Sequence, residues 1–155
     1  MTATVEARLA QLKIRLPKPA APVATYVPAV AAGGLLHVSG QLPFTEEGDL
    51  MTGRLGEDLG VERGQQAARR SAIMVLAQIK AALGSLDRVE RIVKLGVFVS
   101  CTPGFTDQPK VANGASDLMV ELFGDAGKHA RSAVGVPALP LGAAVEIDAI
   151  VAIKA

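Results

Sequence analysis

Two apolar runs near the C-terminus constrain this chain more than any other stretch: Ala130-Arg131-Ser132-Ala133-Val134-Gly135-Val136 and Val145-Glu146-Ile147-Asp148-Ala149-Ile150-Val151. Both are rich in β-branched residues, and the gap between them opens at Pro137 and closes at Gly142. That pattern predicts two strands joined as an antiparallel hairpin. With Val136 paired to Ala143, Arg131 falls opposite Asp148 and Ala133 opposite Glu146, all four on one face. Arg131 then has two carboxylates within roughly 5–8 Å, measured between β-carbons. Ser132, Val134, Val136, Val145, Ile147, Ala149 and Val151 occupy the other, core-facing side.

The rest of the chain must cover that core-facing side. Two stretches carry helical periodicity. Residues 62–83 place Ala72, Ile73, Leu76, Ile79 and Leu83 on one stripe ahead of Gly84, with Arg69, Arg70 and Lys80 largely elsewhere and read as a solvated face. After Asp107, a natural N-cap, Val111, Ala115, Leu118 and Leu122 repeat before Gly124. Strands are predicted over Ala24–Val30, Leu35–Ser39 and Ile92–Cys101, the first two joined at Gly33-Gly34. The continuous run Leu95-Gly96-Val97-Phe98-Val99 reads as a central strand. Residues 44–60 are predicted as loop. The order strand, strand, helix, strand, helix, strand, strand gives an α+β fold, a mixed sheet with two helices on one face. Nothing is left to cover the opposite face, so a second copy is the expected cover, with a pocket between subunits.

Residues 1–22 form a predicted N-terminal helical extension, with Val5, Leu9 and Leu12 at helical spacing before Pro17, Pro19 and Pro22. Residues 23–155 form a predicted single domain, a size that supports one buried core. Glu6 and the scarcity of serine weigh against a mitochondrial presequence. A cytoplasmic location is expected, because no signal segment is recognisable and the lone Cys101 has no intrachain partner. No apolar run approaches the roughly 18–20 residues that span a bilayer, so no membrane partner is expected.

Composition narrows the function. The 16 basic and 15 acidic residues leave a net charge of +1, and the aromatics are four Phe and one Tyr. Neither a polyanion-gathering field nor a base-stacking surface follows, which counts against nucleic acid as the main ligand. His37 in an apolar strand reads as structural, and Cys101 as an inert thiol without a base beside it.

With Tyr26, Ser39-Gly40-Gln41-Leu42-Pro43, the strand from Ile92 to Val99, and Ala130-Arg131-Ser132 to Glu146 in place, the chain resembles the Rid family. This family is also called YjgF or L-PSP endoribonuclease. The likeness runs through nearly all of residues 23–153. It implies a chorismate-mutase-like (YjgF-type) fold, a homotrimer with clefts between subunits, and hydrolysis of reactive enamines and imines such as 2-aminoacrylate to 2-keto acids and ammonia without metal or organic cofactor. Arg131 matches the arginine that grips the substrate carboxylate, and Glu146 the glutamate that positions or activates water. Tyr26 and Ser39 match cleft-lining positions. Ala133, another cleft position, stands where that branch commonly has a cysteine, and either Asn113 or Ser116 takes its polar helical position. These departures mark a divergent branch. The competing readings are a trimer that binds a keto acid without turning it over, an endoribonuclease, and a purely structural pairing of Arg131 with Asp148 or Glu146. With only His37 and His129 as histidines and almost no net charge, RNA cleavage is the poorer match.

Overall fold

The computed structural model describes residues 3–19 and 25–155; Ala24 and the boundary expected at residues 22 and 23 lie outside them. The elements run α1 (Val5–Gln11), β1 (Ala29–Ala32), β2 (Leu35–Gln41), α2 (Val61–Leu83), β3 (Val89–Ser100), α3 (Gln108–Phe123), β4 (Ala130–Val136) and β5 (Val145–Ile153). The strands form one sheet in the order β1-β2-β5-β3-β4. Every neighbouring pair is antiparallel except β3 and β4, which are parallel. Where a strand was expected over Ala24–Val30, the residues of β1 begin only at Ala29. Its turn into β2 uses positive φ at both Gly33 (60°) and Gly34 (78°), the geometry of a tight hairpin turn.

The expected hairpin between the last two strands is absent. Among the described residues β4 has β3 as its only neighbour, while β5 lies between β2 and β3. A parallel pair needs a crossover, and α3 supplies it between β3 and β4. The connection after β4 therefore passes over the end of β3. Cys101 donates its backbone N–H to Val136 and Ser100 donates to Ala144, so the end of β3 is held between the two arms. β4 and β5 are two strand spacings apart, roughly 9.5 Å, instead of one.

This rearrangement changes which side chains share a face. Leu95 aligns with both Arg131 and Ala149, Gly96 with Ser132 and Asp148, and Phe98 with Val134 and Glu146. Relative to a direct hairpin, the alignment is displaced by one residue, and one residue inverts a strand's faces. Arg131 and Ala133 consequently lie on the helix side, beside buried Leu95 and Val97. Glu146 and Asp148 lie on the opposite, open face. Ser132 and Val134, expected in the core, are exposed there.

The core sits between the sheet and the two long helices. Leu36, Val38, Ile92, Leu95, Val97, Val145, Ile147, Ala149 and Val151 face Leu76, Ile79, Val111, Leu118 and Leu122, all buried. α2 lies over β2 and β5, and α3 lies over β3 and β4. Gly84 ends α2 with φ 86°, a stop that suits glycine. Asp107 occupies the N-cap position of α3, but its side chain makes no capping hydrogen bond and instead approaches Lys110 at 3.7 Å. Arg70 also departs from the solvated reading: its Nε donates to the Phe44 carbonyl at 2.6 Å and pins the 44–60 loop.

α1 is short, yet it is tied down. Asp87 Oδ1 accepts from the backbone N–H groups of Val5 (2.9 Å) and Glu6 (3.3 Å), and Arg8 donates to the Leu122 carbonyl (3.0 Å). Leu9 is buried, whereas Leu12 turns outward.

Candidate functional site

The residues singled out from the sequence fall into two groups on opposite sides of the sheet. The first lies along β4, whose outer edge has no strand neighbour among the described residues. One terminal nitrogen of Arg131 donates to Asn113 Oδ1 at 2.8 Å and to Ser116 Oγ at 3.1 Å. Both partners project from α3. Behind them, Ser116 Oγ lies 2.9 Å from His129 Nε2, and His129 Nδ1 lies 2.6 Å from the Gly127 carbonyl. A carbonyl can only accept, so Nδ1 carries a proton and, in the neutral ring, Nε2 accepts from the Ser116 hydroxyl. Ser116 can then accept from Arg131, and both acceptors of the guanidinium, Asn113 and Ser116, are uncharged.

Arg131 forms no ion pair among the described residues. The purely structural pairing with Asp148 or Glu146 does not occur within the chain. A guanidinium has five donors in a planar fork, and uncharged acceptors leave its charge available to a carboxylate ligand. Ala133, two residues on and half-buried, offers only a methyl group to the same side.

The second group is on the open face, where β2 and β5 meet. Glu146 packs so closely on Gly40 that a β-carbon there would lie 2.1 Å from Glu146 Oε2. Asp148 has the same relation to Gly96, with a β-carbon position 2.3 Å from its Oδ1. Partial burial, and secondarily the negative charge of Asp148, push the Glu146 carboxyl above the ordinary glutamate range. Ser39 Oγ donates to the Val27 carbonyl at 2.9 Å and so fixes the segment next to Tyr26, whose side chain is 64% exposed. Alongside, His37, Ser39, Lys94, Ser132 and Asp148 line a shallow depression, so His37 is an exposed open-face residue and not a buried strut.

Cys101 is buried at the end of β3, with the Gln108 amide nitrogen 3.6 Å from its sulfur. Among the described residues no cluster of three or more His, Cys, Asp or Glu side chains could hold a metal ion. Nor is any helix there long and apolar enough to cross a membrane. The support of Arg131 by His129 escaped the sequence reading. Its one available signal was the position of His129 two residues before Arg131, on the same face of an extended chain.

A mixed sheet with two helices on one face, a bare second face, and an unpaired arginine at its edge define an α+β protein of the chorismate-mutase-like class. The chain belongs to the family described as YjgF/chorismate mutase-like, putative endoribonuclease, whose model matches residues 6–151. Among curated relatives, Protein TCP17 of Trypanosoma cruzi is 57% identical over 95% of this chain and 92% of its own length. A protein named 2-iminobutanoate/2-iminopropanoate deaminase from Dermatophagoides farinae is 31% identical over 86% of this chain and 89% of its own. The structure is similar to that of a protein of unknown function from Agrobacterium tumefaciens, with TM-score 0.89 and 46% identity over 97% and 94% of the two chains. The YjgF gene product of E. coli is more distant, with TM-score 0.64 and 28% identity over 89% and 94%.

Proposed function

We propose that this protein hydrolyses small 2-imino acids and their enamine tautomers, such as 2-aminoacrylate, to 2-keto acids and ammonia. The reaction takes place in clefts between the subunits of a homotrimer. The single observation that carries this reading is the uncommitted charge of Arg131, whose guanidinium is oriented by Asn113 and Ser116 and has no carboxylate partner among the described residues. The relative named as an imine deaminase supports the reaction class.

One chain holds Arg131 and Glu146 on opposite faces of its sheet, so a cleft containing both needs two copies. The β4 edge of one subunit, with Arg131, Ala133, Asn113 and Ser116, faces the Tyr26, Ser39 and Glu146 surface of the next. The open face carries Val30 and Val134 at 51% and 44% exposure, an apolar surface suited to such burial.

Arg131 binds the substrate carboxylate through two parallel hydrogen bonds and thereby fixes the imine carbon. With the imine bound as its iminium, Glu146 as carboxylate takes a proton from water while the water oxygen bonds to that carbon and the C=N π pair moves to nitrogen, giving a neutral carbinolamine. Glu146 returns that proton to nitrogen; the C–N bond then breaks and ammonia leaves as the hydroxyl gives its proton to the Glu146 carboxylate and the carbonyl forms, and ammonia takes this last proton away as ammonium. A glutamate with a raised pKa is suited to both steps. Tyr26 and Ser39 line the cleft, and Ala133 supplies no thiol.

The test is a pair of substitutions. Arg131→Lys retains charge but loses the planar fork, so keto-acid binding should weaken by about 1.5–3 kcal/mol with little change in melting temperature. Glu146→Gln should lower imine turnover more than keto-acid binding. Unaltered carboxylate affinity in a folded, assembled Arg131→Lys protein would overturn the assignment.

A further inference from the structure

A second concave site lies at the other end of β4 from Arg131. The start of α3, the ends of β3 and β4 and the loop before α2 border an open pocket of about 370 Å³, lined by Arg54, Cys101, Thr102, Phe105, Gln108 and Gly135 among others. That volume falls within the range of small-molecule pockets, roughly 300–1,000 Å³. None of its lining residues is acidic, and Arg54 is its one formal charge.

Arg54 is held in place by its backbone. Its N–H donates to Asp58 Oδ1 at 2.6 Å, and its carbonyl accepts from the N–H groups of Glu57, Asp58 and Leu59. The guanidinium reaches across to the Pro137 carbonyl and forms no ion pair among the described residues. Most of its five donors are therefore unspent. Opposite, Gln108 Nε2 donates to the Phe105 carbonyl at 2.8 Å and approaches Cys101 Sγ at 3.6 Å. Its oxygen makes no hydrogen bond among the described residues and remains an acceptor for a ligand donor. Gly135 permits this meeting, since a β-carbon there would lie 2.5 Å from Cys101 Sγ and 2.9 Å from Gln108 Nε2.

We infer that this cavity binds a small organic monocarboxylate: Arg54 holds the carboxylate, Gln108 accepts from a neighbouring hydroxyl or amino group, and Phe105 and Val136 cover the apolar part. The apolar wall favours an organic acid over an inorganic oxyanion. All of its lining residues come from one chain and none belongs to the Arg131 and Glu146 groups, so it stands whether or not these act on imines.

Cys101 is the only cysteine in the chain and lines the cavity, so its alkylation reports occupancy without a label. Iodoacetamide modification of the purified full-length protein is followed by mass spectrometry while 2-hydroxybutanoate, 2-oxobutanoate or inorganic phosphate is titrated in. The expected result is saturable protection by 2-hydroxybutanoate, weaker protection by 2-oxobutanoate and none by phosphate. Arg54→Gln, which keeps a donor for the Pro137 carbonyl but removes the charge, should raise the half-protecting concentration about tenfold or more, whereas Arg131→Lys should leave it unchanged. Calorimetric titration of the same three proteins provides an independent reading should the buried thiol react too slowly. Absence of protection and of binding heat in the unmodified protein would overturn the inference. So would affinity unchanged in folded Arg54→Gln, or binding of phosphate alone. Loss of binding in Arg131→Lys with Arg54→Gln unaffected would assign the ligand to the other site and also overturn it.

Discussion

Glu146 and Asp148 stand on adjacent rows of the open face, each pressed over a glycine of the neighbouring strand. That close seating partly removes Glu146 from water and brings it under the influence of the Asp148 charge, and both effects favour its protonated form. The native state therefore binds this proton more tightly than the unfolded chain does. Its contribution to stability is full below the ordinary glutamate range, about pH 4.3, and is lost as pH rises through the elevated folded value. Glu146→Gln abolishes that contribution, so the wild type should lose melting temperature relative to the variant as pH is raised from about 4 toward neutrality. Asp148→Asn should move the Glu146 titration, followed by NMR of its side-chain carboxyl, back toward the ordinary range. A Glu146 titration indifferent to Asp148→Asn would remove the like-charge cause and leave burial alone. At this scale the sequence identified the titratable groups. The glycines that admit them belong to other strands, and their spatial relation depends on register.

Between elements, α2 and α3 approach each other closely. A β-carbon at Gly114 would lie 2.1 Å from the Gln65 backbone carbonyl oxygen, an approach that leaves room only for glycine. Gly114→Ala would ordinarily gain about 1 kcal/mol of helix propensity. Here the displaced atoms are backbone, and overpacking costs about 1–3 kcal/mol, so the net effect should be destabilising. Denaturant titration checks the sign: a midpoint raised by Gly114→Ala would mean that the helices separate without cost. The extents of α2 and α3 followed closely from apolar spacing because each carries an apolar stripe and ends at glycine. The pairing of β4 and β5 did not follow. Alternation reports that a strand has two faces, and both an antiparallel hairpin and a parallel neighbour satisfy it.

For the molecule as a whole, the sheet has a covered face and a bare one. The bare face combines Val30 and Val134 with Lys94, Glu146 and Asp148, and among the described residues β4 leaves one edge unpaired. Assembly would satisfy both features. Static light scattering at micromolar concentration should give about three times the 16.0 kDa chain mass. Val134→Glu places a further negative charge in the row of Phe98 and Glu146, so it should shift the mass toward that of one chain while leaving the helical circular dichroism signal intact. A stable monomer in the unmodified protein would refute both the trimer and the cleft between subunits.

The sequence by itself determined the number and order of strands and long helices, the core-facing residues of β5, and the identity of Arg131 and Glu146 as residues of interest. These properties are written in short-range periodicity and in residue chemistry. Only the tertiary structure decided that β3 lies between β4 and β5, that Arg131 joins Asn113, Ser116 and His129 on the helix side, and that Arg54, Cys101 and Gln108 line one pocket. Each of these depends on a one-residue register or on contacts between segments far apart in the chain. Local spacing carries no information about them, because the free energy that selects among such pairings comes from burying the whole core at once.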